Sequence, residues 1–445
     1  MIMKPFEEAF ESACANEEIP GAVLLATNGD GSFSYGKAFG KRSVRAGADQ
    51  SPLKLDSVMW IASCTKVITS LAALQCVERG LLTLDGLIYD VLPELKHLAV
   101  IKRFADDGSP VLVPHSEPIT LRRLLNHSSG LAYDETHPKL LRWHKWHRTA
   151  PSRADTVETR YGYPLVFEPG DSWCYGAGVD WAGVAVERVN GTSLQRYFDE
   201  NIFSKVGARD IVFSSYLHTR PDLQTRLVDQ SKRDPNNPAK VIRSNARAQA
   251  SKYYTYRILR PRLVMREPRP CITYCEDVTN ARPFFLLDDR GGCFGGLGLY
   301  STPVDYMKVV AAVLTTDEDQ KLLSRAGVDE FFRGCLTEKA KAALNKLLQF
   351  EEARIGMGSL PKPVWKNWGL GGIVNEDDVP GGRHAGTMTW TGLPNLSWFV
   401  DRNANLCGLY AGQLYPPADP KVGELFEMFE KGIYYDLRRK DSSRL

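Results

Sequence analysis

The residues best placed to do chemistry are Ser63 and Lys66, three positions apart in the stretch WIASCTKVITSL. A serine hydroxyl is a weak nucleophile at its ordinary pKa, and a lysine one turn later on the same helix face can take its proton. The start of a helix adds its positive dipole end and a free backbone N–H, both useful against a developing oxyanion. This pattern implies covalent acyl transfer through serine. The spacing alone is weak, since roughly one S-x-x-K is expected by chance in a chain this long. Ser359 and Lys362, in GSLPKPVW, also fit it. There Pro361 and Pro363 oppose a helix, whereas Ser63 opens a run with Val67, Ile68, Leu71, Leu74 and Val77 at helical spacing, closed by Gly80 as a C-cap. Those residues predict a helix whose first turn carries the serine and the lysine.

Elements from both ends of the chain must position that turn. A first helix is followed by GAVLLATN, a GDG turn and SFSYGKAFG, which read as a β-hairpin. From about residue 86 to 285 the texture is helical runs and polar connectors, with no internal repeat. Beyond it come a glycine-rich approach, GGCFGGLG, a helix, the strand-like pieces TMTWTG, NLSWFVD and LCGLYAGQ, and a closing helix. Strands at both ends imply one sheet assembled from distant parts. The expected fold is α+β, an antiparallel sheet flanked by helices with an inserted mainly helical region. The expected domains are residues 1–85 with 286–445, and 86–285 inserted between them.

Composition narrows the class. The chain has 445 residues, 43% hydrophobic and 24% charged, enough to bury a large core. Its apolar stretches are far shorter than the roughly 18 residues of a membrane span, and its N-terminus lacks the apolar core of a secretory signal, so a soluble intracellular protein is expected. Nine cysteines without CxxC pairing fit reduced thiols. A net charge of +3 is too small to suggest nucleic acid. Basic residues nevertheless crowd between Arg220 and Arg269; a solvated surface is the plainer reading, and a landing site for an acidic or phosphate-bearing carrier the sharper one. The terminal Ser443-Arg444-Leu445 matches the form of a peroxisomal address.

ASCTKVITSLAALQCVERGLLTLDGLIYDVLPEL, followed by ITLRRLLNHSSGL, resembles the opening of the class C β-lactamase, esterase and penicillin-binding family of serine acyltransferases. FEPGDSWCYGAGVDWAG resembles its second motif region, with the tyrosine at Tyr175, and HAGTMTWTGLPNLSWFVD resembles its third-motif strand. The departures are informative. Tyr175-Gly176-Ala177 lacks the family's amide at the third place, and Trp390-Thr391-Gly392 carries an indole where β-lactamases have a lysine. His384-Ala385-Gly386 is an alternative third motif, less well followed by strand. The losses argue against β-lactams and peptides as substrates. Within the family, the Trp390 and Tyr175 regions look most like the fungal transesterases that acylate polyketides.

That resemblance implies transfer of an acyl group from a thioester, on coenzyme A or a carrier protein, to a hydroxyl of a natural product; carboxylester hydrolysis is the alternative. It assigns Ser63 as nucleophile, and Lys66 and Tyr175 as sharing the base work, with Tyr175 either a phenolate or a proton relay. Backbone N–H groups of Ser63 and Leu393 would form the oxyanion hole. Trp390, Thr391 and Gly392 would line the substrate pocket. No cofactor and no metal are expected. Each residue also has a plainer reading: Tyr175 and Trp390 as packing, Cys64 as a small buried hydrophobe, and His144 and His147 of WHKWH as an aromatic surface or pocket wall, since neither their spacing nor that of Cys271 and Cys275 makes a metal site. Asn190-Gly191-Thr192 is a sequon left unused in an unsecreted protein.

Overall fold

The computed structural model describes residues 4–44, 50–243, 292–319, 321–362 and 364–442. Helix α1 (Pro5–Ala15) leads into β1 (Gly21–Asn28) and β2 (Ser34–Gly40), the expected hairpin, with Val23 opposite Ala38. Helix α2 (Thr65–Glu78) follows, then α3 (Gly178–Asn190) and α4 (Pro303–Asp319). The chain closes with β3 (Lys366–Trp368), β4 (Ile373–Asn375), β5 (Met388–Gly392), β6 (Leu396–Asp401), β7 (Leu406–Ala411) and helix α5 (Pro420–Ser442). The sheet runs β3-β4-β5-β6-β7-β1-β2, antiparallel throughout, so β1 from the front of the chain pairs with β7 from its end, Leu24 opposite Tyr410.

Both faces of that sheet are covered, which is why β1 is an unbroken apolar run rather than an alternating one. Ala22, Leu24 and Ala26 face a cluster with Phe6 and Phe10 of α1 and Phe426 and Phe429 of α5. Val23 and Leu25 face the larger core, which holds α2, α3 and α4. Helix α2 departs from the amphipathic expectation: Thr65, Lys66, Thr69, Ser70 and Gln75 are buried along with its apolar residues. Such polar groups need partners, and Thr69 donates to Gly295 O at 2.6 Å while Gln75 donates to Leu322 O at 3.0 Å. Gly80, at φ +72°, turns the chain out of α2 as expected.

The region between α2 and α4 holds short helices and also strands. Ala99–Phe104 and Pro110–Pro114 form a hairpin. Ile211–Phe213 pairs with Leu299–Ser301, which in turn pairs with Met59–Trp60 just before the Ser63 turn. Ser231–Arg233 runs parallel to Leu414–Tyr415. The middle of the chain is thus hydrogen-bonded to both flanks of the sheet region.

Candidate active site

Ser63 sits on a single 3₁₀ turn, Ala62–Cys64, that runs directly into α2, so the helix proper starts two residues after the serine. Ala62 holds φ +46°, a left-handed conformation that few residues other than glycine adopt cheaply. The turn is clamped on both sides. Ile61 N–H donates to Leu299 O at 3.0 Å, and the Tyr306 hydroxyl donates to Cys64 O at 3.0 Å. Ala62 and Cys64 are buried while Ser63 is half-buried, leaving its hydroxyl reachable. The end of β5 presses on the same turn: a Cβ on Gly392 would lie 2.5 Å from Ile61 O, so only glycine permits the approach.

Lys66 is fully enclosed. Its Nζ lies 3.4 Å from Ser63 Oγ and donates to Tyr133 OH at 3.0 Å and Gly296 O at 2.6 Å. Tyr133 passes the chain on, donating to Asp180 Oδ2 at 3.1 Å, while Asp180 Oδ1 accepts from Gly296 N–H at 2.8 Å. Burial lowers Lys66 from the usual amine range to about 8, opposed by the Asp180 carboxylate. Burial likewise raises Asp180, with the nearby Lys66 charge pulling the other way. With its pKa brought to about 8, roughly a tenth of Lys66 is a free amine at pH 7, 3.4 Å from Ser63 Oγ.

Tyr175 closes the other side. Trp390 Nε1 donates to its hydroxyl at 3.3 Å, the two rings lie 5.0 Å apart, and Lys66 Nζ stands 4.6 Å over the phenol ring. Burial pushes the phenol well above its usual pKa, and hydrogen bonds from Ser63 and Trp390 only partly offset this. Tyr175 is thus held as a neutral phenol, which suits a proton relay and not a standing phenolate. Ala177, the third place of this motif, is fully buried and offers no polar group.

Four contributors went unread in the sequence. Tyr133 and Asp180 couple to Lys66 across gaps of tens of residues with no local spacing to signal them. His127, in the NHSSG stretch, has φ +61°, packs 4.7 Å from the Tyr175 ring and 4.9 Å from Trp368, and is kept neutral by burial and by Lys66. Trp368 completes the aromatic wall, 4.6 Å from Trp390. The positive φ at His127 has no signature in residue type, since histidine does not announce a left-handed turn as glycine would.

Of the residues expected from sequence, Ser63, Lys66, Tyr175, Trp390 and Gly392 come together. Leu393 follows Gly392 at the mouth of the β5–β6 turn and packs against the same core. Thr391 does not present its side chain here: strand alternation turns it away, and its hydroxyl donates to Gly356 O at 2.7 Å. His384 is engaged elsewhere, with Nδ1 at 2.9 Å from Asp401, so Trp390-Thr391-Gly392 is the strand that meets the serine turn. Ser359 donates to Gly423 O at 3.4 Å, remote from any such constellation. His144 is buried against Asp134 at 3.0 Å rather than on a surface, while His147 stacks on Trp143. Among the described residues no group of His, Cys, Asp and Glu could hold a metal ion. The described part of the basic stretch is tied internally: Arg220 and Arg226 pair with Asp210 at 2.8 Å, and Arg233 with Asp419. Residues 244–269, Cys271, Cys275 and Ser443–Leu445 lie outside the described residues.

A beta-lactamase family profile matches residues 6–427. The chain belongs to the beta-lactamase family. Its similarity extends along the whole chain to particular members of that family. It is 36% identical to a lovastatin esterase of Penicillium rubens, over 98% of each chain. It is 34% identical to a monacolin J acid methylbutanoyltransferase of Aspergillus terreus, over 96% of this chain and 94% of that protein. A solved simvastatin synthase variant from Aspergillus terreus superposes with a TM-score of 0.82 at 33% identity, covering 98% of this chain and 95% of that one. This beta-lactamase family member is an enzyme of the acyltransferase and esterase branch. No helix among its described residues is long and apolar enough to cross a membrane.

Proposed function

We propose that this protein is a serine-dependent acyltransferase that moves an acyl group from a thioester through acyl-Ser63 to a hydroxyl of a polyketide-type natural product. The observation that carries the reading is Lys66, a buried amine with a pKa near 8 placed 3.4 Å from Ser63 Oγ. In the first half-reaction Ser63 Oγ attacks the thioester carbonyl and its proton passes to Lys66 Nζ. Backbone N–H groups of Ser63 and Leu393 hold the oxyanion, each worth ~2.7–4 kcal/mol in systems of this kind. When the C–S bond breaks, the proton returns from Lys66 to the leaving sulfur, with the neutral Tyr175 hydroxyl as relay. The second half-reaction mirrors the first: the acceptor hydroxyl loses its proton to the same amine, attacks the acyl-serine carbonyl and releases Ser63 Oγ, which regains a proton. The indole of Trp390 and the rings of Tyr175, His127 and Trp368 make an apolar wall suited to a bulky hydrophobic acceptor and to the exclusion of water.

Hydrolysis is the second reading, favoured by the 36% identity to a lovastatin esterase; it differs only in water replacing the alcohol. The donor is an acyl-coenzyme A or an acyl carrier protein, and the terminal Ser443-Arg444-Leu445 extends the proposal to peroxisomal residence, tested by fusing the last ten residues to a fluorescent reporter. The test of the reaction is product partition. With a butanoyl thioester and a range of hydrophobic alcohols, ester should form faster than free acid at millimolar alcohol. Free acid alone, with every alcohol tried, would make the protein a hydrolase.

A further inference from the structure

The stretch Asn126-His127-Ser128-Ser129-Gly130 lies buried beside Tyr175, and the proton transfers of the reaction use none of its side chains. It follows the helical turn Leu121–Leu125 and is shaped by its own polar groups. Asn126 Oδ1 accepts from Ser128 N–H at 3.1 Å and from the Ser128 hydroxyl at 2.6 Å, the bonding of an Asx turn. His127, between them, holds φ +61°, a conformation that histidine adopts more readily than most residues but still at a cost. Strain of this kind persists only where the surroundings over-determine it. Here the surroundings are hydrogen bonds to the segment that runs into Tyr175. Gly130 O accepts from Val166 N–H at 2.9 Å, Ser128 O from Gly170 N–H at 2.8 Å, and His127 O from Cys174 N–H at 3.1 Å. His127 Nδ1 then accepts from Gly176 N–H at 3.4 Å.

Cys174 and Gly176 are thus both fastened to His127, one by its carbonyl and one by its ring, with Tyr175 between them. Gly176 has no slack on its other side, since a Cβ there would meet Leu131 O at 2.2 Å. An imidazole that accepts at Nδ1 is neutral with its proton on Nε2, and burial together with the Lys66 charge keeps it neutral. Among the described residues Nε2 has no hydrogen-bond partner, and the ring meets Trp368 edge to face at 4.9 Å. Gly176 N–H is therefore the polar group that this ring serves. We propose that His127 is a positioning residue of the acylation step: its Nδ1 and carbonyl oxygen fix the backbone on either side of Tyr175 and so aim the Tyr175 hydroxyl at Ser63 and Lys66. The role rests on the reading of Tyr175 as the proton relay; His127 itself moves no proton.

Plain packing would make the shape of the ring matter, whereas this role makes its acceptor matter. The test follows formation of acyl-Ser63 from a butanoyl thioester by quenched intact mass, which gives the acylation rate and the half-saturating thioester concentration. His127→Phe keeps an aromatic ring without the acceptor; acylation should slow about tenfold or more, with half-saturation moved by less than about threefold. His127→Asn discards the ring but keeps an acceptor at the Nδ1 position and tolerates φ +61°, and should stay within about fivefold of the parent. Added to Tyr175→Phe, itself slowed, His127→Phe should cost less than about threefold more, because the group it aims is already gone. If His127→Phe does not fold, His127→Gly, at ease in the left-handed region, removes the acceptor in its place. Near-parent acylation without the acceptor, His127→Asn as slow as His127→Phe, or the full loss repeated in the Tyr175→Phe background would each overturn the positioning role while leaving Tyr175 as relay. Near-parent acylation in Tyr175→Phe alone would remove the relay, and this role with it.

Discussion

At the scale of single residues, the account depends on Lys66 being an amine for part of the time. Because burial brings it to about 8, acylation of the enzyme should rise with pH through that value and level off above it, as the free-amine fraction saturates. The Asp180 carboxylate opposes that lowering, so Asp180→Asn should move the rising limb to lower pH; a pH–rate profile of acyl-adduct formation in both proteins checks the direction. Tyr175→Phe removes the relay while keeping the ring wall, and should slow acylation by about two orders of magnitude or more. Rates within a few-fold of the parent would take Tyr175 out of the mechanism. Ser63, Lys66 and Tyr175 were legible in the sequence because they sit in ordered motifs with local context. Tyr133 and Asp180 were not, because what makes them matter is a hydrogen-bond chain to Lys66 that only folding assembles. Thr391 was misplaced for a related reason: membership of a motif says nothing about which face of the strand a side chain takes.

At the scale of elements, the site is a junction between a strained turn and a strand end. Gly392 allows β5 to lie against the Ser63 turn, and a Cβ there would collide with Ile61 O. Gly392→Ala should therefore push the strand off the turn, lowering activity more than tenfold at a stability cost of about 1–3 kcal/mol, read by acylation kinetics and denaturant unfolding. Ala62 at φ +46° stores strain of about 1–2 kcal/mol. Ala62→Gly should relieve some of it, and Ala62→Val should be clearly destabilising, in thermal melts of the two variants. The hairpin of β1 and β2 and the span of α2 were readable from apolar period and turn residues. The enclosure of α2 on every side was not, because Thr69 and Gln75 carry polar side chains whose partners, Gly295 and Leu322, lie more than two hundred residues away.

At the scale of the whole molecule, the front and the end of the chain make one body. β1 pairs with β7, Lys4 is ion-paired to Asp436, and Phe6 packs edge-on against Phe429 at 5.8 Å. Phe6→Ala should cost about 3–5 kcal/mol in urea unfolding, a core-sized loss from a residue near the start of the chain. Strand patterns at both ends foretold the sheet, but pairings such as Ile211–Phe213 with Leu299–Ser301 join short segments that carry no readable period. This architecture holds the Ser63 hydroxyl 3.4 Å from the buried Lys66 amine. The most direct test is intact-mass measurement of the protein after brief incubation with a butanoyl thioester. A single added butanoyl group is predicted in the parent protein, absent in Ser63→Ala and discharged on addition of a hydrophobic alcohol. An adduct of equal yield in Ser63→Ala, or none in the parent with any thioester, would contradict acyl transfer through Ser63.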